Sequence, residues 1–201
     1  MSAVISHAKR ERVFSGDNPI SEVELPQMAR REPHDLTIIQ AKAMLRLMRY
    51  PEREIALITI TTGMGISEIC ALQWKHLNLS GTTVSTDGEF IPPRSIVVKK
   101  QLNASGVVDV MGSRARKIVV PEPLIHSLTT LRRTRKITDP NWFVVGTRDG
   151  QPTNVRMLRL KQIGQQLRMP WLSWQALKRA HEALLLELRV QLTDDLVVST
   201  H

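Results

Sequence analysis

The sequence predicts an α+β domain, mainly helical, in which a small antiparallel β-sheet separates two groups of helices. Three observations carry this. Helical periodicity with start and stop signals runs from Thr37 to Trp74, β-branched runs broken by turn residues occupy residues 83–120, and helical periodicity returns from Pro123. A chain of 201 residues that is 42% hydrophobic can bury one ordinary core.

Residues 1–35 hold basic clusters and the prolines Pro19, Pro26 and Pro33, with periodicity only for a short helix through Ala8 and Val13. They are expected to form an arm or linker, followed by one domain over residues 36–192 and a tail over 193–201. The first full helix opens at Thr37, whose hydroxyl can cap while Gln40 reaches back, and Pro51 stops it after Tyr50. Ile39, Ala43, Leu45 and Leu47 are expected on its buried side.

Pro51 suits the first turn of a second helix, whose stretch Ile55-Ala56-Leu57-Ile58 is almost wholly apolar and ends at Thr62-Gly63. This helix should be central. A third is expected from Ser67 as cap, through Ile69, Cys70 and Leu72, to Trp74. Strands follow at Thr83-Val84, Ser95 to Val98, Val107 to Val110 and Lys117 to Val120, with a hairpin turn at Asn103-Ala104-Ser105-Gly106. Further helices are expected over Pro123 to about Arg135, Asn154 to about Leu167 and Trp174 to about Gln191, with Trp142 to Val145 extended between the first two.

Lysine and arginine number 28 against 19 acidic residues, a formal charge of +9 and a pI near 10.3, which favours a polyanionic partner. Charge alone does not separate DNA from RNA or a membrane surface. The single cysteine, Cys70, leaves no intrachain disulfide and no thiolate metal cluster. With no apolar run near the roughly 20 residues that span a bilayer, and no secretory signal at the amino terminus, a soluble cytoplasmic protein is expected.

The run Thr62-Gly63-Met64-Gly65-Ile66-Ser67-Glu68-Ile69-Cys70-Ala71-Leu72-Gln73-Trp74 resembles the first conserved box of the tyrosine recombinases, or phage integrases: threonine-glycine-apolar-arginine-x-serine-glutamate leading to leucine-x-tryptophan. Gly65 stands where the family has its arginine. The run Trp174 to Glu187 is similar to the second box, histidine-x-leucine-arginine with an apolar continuation, and here Gln175 replaces the histidine and Lys178 the arginine. The Arg116 to Pro121 stretch, the Trp142-Phe143 piece and the Gly150-Gln151-Pro152 turn fall between the boxes in the family's order. Asn18-Pro19 through Pro33 resembles the linker that precedes its catalytic domain.

The resemblance implies that fold, DNA as partner, a role in DNA recombination and integration, association with other recombinase subunits, and neither cofactor nor metal. It also implies what is missing. The family attacks a phosphate with a tyrosine near its carboxyl end and stabilises the transition state with two arginines, a histidine and a lysine. An arginine fork grips two phosphate oxygens and glycine grips none, so Gly65 should cripple the reaction: losing one preorganised donor costs about 10² to 10³ in rate, and losing a transition-state arginine up to roughly 10⁵.

Lys178 keeps charge without the fork, and Gln175 can donate a hydrogen bond but cannot exchange a proton near neutral pH. Glu68 is the retained acid, left to pair locally. The only tyrosine, Tyr50, precedes the first box and reads as a helix-end packing residue. The family's hairpin lysine would fall near Val110, which is not basic. His181 lies roughly 240° around the helix from Gln175, which argues against a substitute base.

The expectation is therefore a degenerate, truncated, catalytically inactive DNA-binding relative, with Lys99, Lys100, Arg114, Arg116, Lys117, Lys178 and Arg179 as candidate phosphate contacts. The alternatives are a regulator that pairs with an active recombinase, a decayed fragment, and an active enzyme that borrows a tyrosine from another subunit.

Overall fold

The computed structural model describes residues 2–16, 34–110, 115–154 and 158–183. The expected linker from Asn18 to Pro33, the candidate contact Arg114, the end of the last expected helix and the tail lie outside the described residues. Two compact units are present, Met1–Pro33 and His34–His201. In the first, helix α1 covers Ser2–Arg10, with His7, Lys9 and Arg10 in its last turn, where positive charge suits the helix carboxyl end.

The second unit begins with α2, Ile38–Leu47. Thr37 caps it as expected: its hydroxyl accepts from the Gln40 N–H at 3.2 Å, and the Gln40 side chain accepts from the Thr37 N–H at 3.0 Å. The helix ends three residues before the expected stop, because Met48 is already extended. Its buried side also differs from the expected one. Met44 and Met48 are buried, while Ile39 is 81% exposed and Leu47 half exposed. The two methionines sit four residues apart on one face, and Ile39 lies about 140° from it.

Helix α3, Glu52–Thr62, is central: Ile55, Ala56 and Ile58 are fully buried, and Gly63 ends the helix in the left-handed region. Helix α4 is short, Ile66–Cys70, and its cap is Gly65, not Ser67. Glycine offers no capping oxygen, so the Glu68 carboxylate reaches back to the Gly65 N–H at 2.9 Å and closes the end from inside. Trp74 belongs to a separate 3₁₀ turn, Trp74–His76.

Among the described residues seven strands follow: β1 Leu77–Asn78, β2 Val84–Thr86, β3 Glu89–Ile91, β4 Ser95–Val98, β5 Lys100–Asn103, β6 Gly106–Asp109 and β7 Arg116–Val119. They make three antiparallel sheets, ordered β1-β4-β7, β2-β3 and β5-β6, in place of the single expected sheet. The first is the structural one, with Ile96 paired to Leu77 on one side and Ile118 on the other. All four residues of β4 are buried. The expected turn at Asn103 to Gly106 closes the β5-β6 hairpin, where Leu102 faces Val107.

Helix α5 spans Glu122–Thr134, with Pro123 in its first turn. Phe143 makes only an isolated bridge to Gln73, and Val144 and Val145 are fully buried around it. Helix α6 covers Leu160–Gln166, shorter than expected, and the Arg159 N–H at its start donates to the Glu52 carboxylate at 3.1 Å. Residues 155–157 lie outside the described residues. Helix α7 is described over residues 174–183.

Two buried clusters hold the unit together. One gathers α3, α4, the three-stranded sheet and α5 around Ile58, Ile69, Ile96 and Leu124, and the other joins α2, α6 and α7 around Met44, Leu160 and Leu177. Burial of such side chains contributes about 1.5–3 kcal/mol each before the entropy of ordering is charged against it. Helix α3 takes part in both clusters, through Ile55 and Ile58 in the first and Ala56 in the second. No helix among the described residues is long and apolar enough to cross a membrane.

Candidate functional site

The carboxyl end of α3, the start of α4, β5, β7 and α7 surround an open cup of about 530 Å³. Gly65, Glu68, Gln101, Arg116, Lys178 and His181 carry its chemistry. Each is there for a local reason. Gly63 turns the chain through φ +68, which brings Gly65 and Glu68 to the mouth. Lys178, His181 and Glu182 are spaced three and four residues apart on α7 and share one helical face.

Arg116 and Glu68 form the firmest polar contact of the cup. The two terminal guanidinium nitrogens donate to the two carboxylate oxygens at 2.7 and 2.9 Å, a bidentate pair joining residues 48 apart in sequence. Burial raises the Glu68 carboxyl, but hydrogen bonds from Arg116 and the Gly65 N–H and the charges of Arg116 and Lys178 outweigh it and hold the pKa below the usual carboxylate value. The hydrogen bond to Glu68 raises that of Arg116 in turn. The side chain of Arg116 is 36% exposed and that of Glu68 only 13%, so the guanidinium is the more open half of the pair.

Glu68 is thus not confined to a local partner, and Arg116 is engaged across the cup. Lys178 lines the cup, whereas Gln175, one turn earlier on α7, is exposed and does not. Arg179 is half-buried, with its Nε enclosed and without a hydrogen-bond partner among the described residues. His181, discounted from its angle to Gln175, enters the cup wall: its Nδ1 donates to the Ile60 carbonyl at 2.8 Å and its ring lies against Gly63. The readable signal was its spacing from Lys178.

Of the other basic candidates among the described residues, Lys99, Lys100 and Lys117 do not line the cup. Lys99 is paired with Glu89, Lys117 donates to the Phe90 carbonyl at 2.9 Å, and Lys100 is half-buried on β5. The β2-β3 hairpin therefore supplies partners for two of the expected phosphate contacts. Lys75 is held by the same hairpin, through Asp87 at 2.8 Å.

Tyr50 lies in a different cleft, with Arg49, Glu52 and Arg159. Its hydroxyl donates to the Gly146 carbonyl and accepts from Arg135, whose guanidinium also sits 4.2 Å from the ring centre. Burial pushes its phenol up to about 12 against the opposing charge of Arg135. That is a structural tyrosine tying the α2-α3 junction to α5 and the Phe143 loop. Among the described residues no group of three or more His, Cys, Asp or Glu side chains converges to hold a metal ion.

Comparison with known proteins places this architecture. A Tn1549 transposon integrase in complex with circular-intermediate DNA superposes with a TM-score of 0.66 at 18% identity, over 90% of this chain and 62% of the other. The same integrase in complex with transposon right-end DNA gives 0.64 at 17% identity, with the same coverage. XerA recombinase gives 0.55 at 14% identity, over 81% of this chain and 52% of its own. This chain thus spans about three-fifths or less of those structures and shares the tyrosine-recombinase catalytic-domain fold. No family model matches the sequence, and no curated protein matches it.

Proposed function

We propose that this chain is a DNA-binding member of the tyrosine recombinase family that grips the duplex backbone and does not cut it. The fold is that of integrases solved on DNA, and the +9 charge suits the same polyanion. The observation that carries the second half of the reading is the place of the phenol. Tyr50, the only tyrosine of the 201 residues, is bonded to Gly146 and Arg135 in another cleft, and no phenol lines the cup.

The remaining groups of the cup support binding better than chemistry. Lys178 and Arg116 supply positive charge, Gly65 stands where the resemblance has an arginine, and Gln175, in the place of the histidine, lies outside the cup. Binding through phosphates is sequence-tolerant and releases counterions. Titration of a 30-base-pair duplex against the chain is therefore expected to show a complex at about 50 mM salt whose affinity falls by at least about tenfold at 200 mM. Absence of a complex at both salt concentrations would sink the reading.

A further inference from the structure

We propose that Arg116, reaching across from β7, supplies the guanidinium that position 65 lacks, so that the cup grips one phosphodiester group of a DNA backbone. This deepens the reading of the chain as a backbone-binding protein and rests on it.

One carboxylate, that of Glu68, stands within reach of both positions. A Cβ placed on Gly65 would lie 3.7 Å from Oε2 of Glu68 and would meet nothing closer. The same Oε2 accepts from Arg116 at 2.9 Å. A side chain growing from position 65 and the one growing from position 116 thus arrive at one anchoring acid from two elements. Glu68 holds whichever guanidinium reaches it, and in this chain that is Arg116.

The charges of the cup then have a direction. Glu68 is the less exposed half of the pair and is turned onto Arg116 and the Gly65 N–H, so its negative charge faces inward. Arg116 lines the cup from β7 and Lys178 lines it from α7, where its charge acts on the Glu68 carboxyl. Glu182 also lines the cup, but it is exposed at the rim, where water screens it. An anion entering between Arg116 and Lys178 would meet a planar donor already fixed by its carboxylate, which removes part of the entropy cost of binding.

The test is an arginine swap read by fluorescence anisotropy on the same 30-base-pair duplex at low salt. R116A is expected to weaken binding by about tenfold, the loss of one charge-assisted phosphate contact. The double variant G65R/R116A is expected to recover most of that loss, which a merely structural role for Arg116 would not produce. R116K, which keeps the charge and removes the fork, covers the case in which R116A fails to fold, and it should bind several-fold more weakly than the unaltered chain.

Wild-type binding matched by R116A, or by R116K where R116A is unfolded, overturns this inference and leaves the backbone-binding reading intact. An R116A loss that G65R does not restore also overturns it. No complex with the unaltered chain overturns both.

Discussion

His76 shows how a single buried side chain can report on the fold. It is 8% exposed, and burial, followed by the charges of Lys75, Lys100 and Lys99, drives its pKa down to about 4, with Asp87 opposing. The folded state therefore binds its proton less readily than the unfolded chain, whose histidine titrates near 6.5. The resulting stability is complete above about 6.5 and is lost as pH falls from there toward 4. Urea midpoints measured across that window should fall with pH, and His76→Gln should flatten the decline above the range in which carboxylates titrate. An unchanged slope would contradict this assignment. Nothing in the sequence marked His76: Lys75 is its neighbour in the chain, but its burial and the approach of Lys99 and Lys100 come from the fold. The same holds for Arg116 and Glu68. Both were legible as individual residues of interest, but their pairing spans 48 positions and exists only once β7 is laid beside β4.

At the scale of elements, local chemistry was readable and tertiary preference was not. The Thr37 and Gln40 cap and the Asn103 to Gly106 turn depend on residues within four positions, and both form as expected. The buried side of α2 depends on what packs against it, so Met44 displaced Ile39 from the core. The cap of α4 moved to Gly65 because Glu68 could serve that N–H as well as Arg116. The end of α3 offers the sharpest test of this joint between helix and cup. Gly63 has φ +68, and an added Cβ would stand 2.6 Å from the His181 ring. Gly63→Ala is expected to cost about 1–2 kcal/mol for the left-handed backbone alone, with more from the displaced imidazole, visible as a lowered urea midpoint. A midpoint equal to that of the unaltered chain would show that the α3 terminus tolerates a side chain and that His181 is not held there.

At the scale of the molecule, the arrangement of helices around a small β region was legible because the period of apolar residues switches from helical to β-branched and back. Division of the strands into three sheets was not, since runs such as Lys100 to Asn103 are too polar to read as strands without their hairpin partner. The candidate site was half legible. Its degenerate positions at 65 and 178 followed from the two boxes and position 175 fell outside the cup, whereas the entry of Arg116 and His181 followed from packing. In the proposed function this scaffold holds a DNA backbone in a cup that contains no nucleophilic phenol. That function is tested most directly by incubating the purified 201-residue chain with end-labelled duplex and resolving the products on both native and denaturing gels. A retarded complex is expected on the native gel at low salt, with full-length, protein-free strands on the denaturing gel. A nicked strand, or a strand covalently attached to the protein, would contradict it.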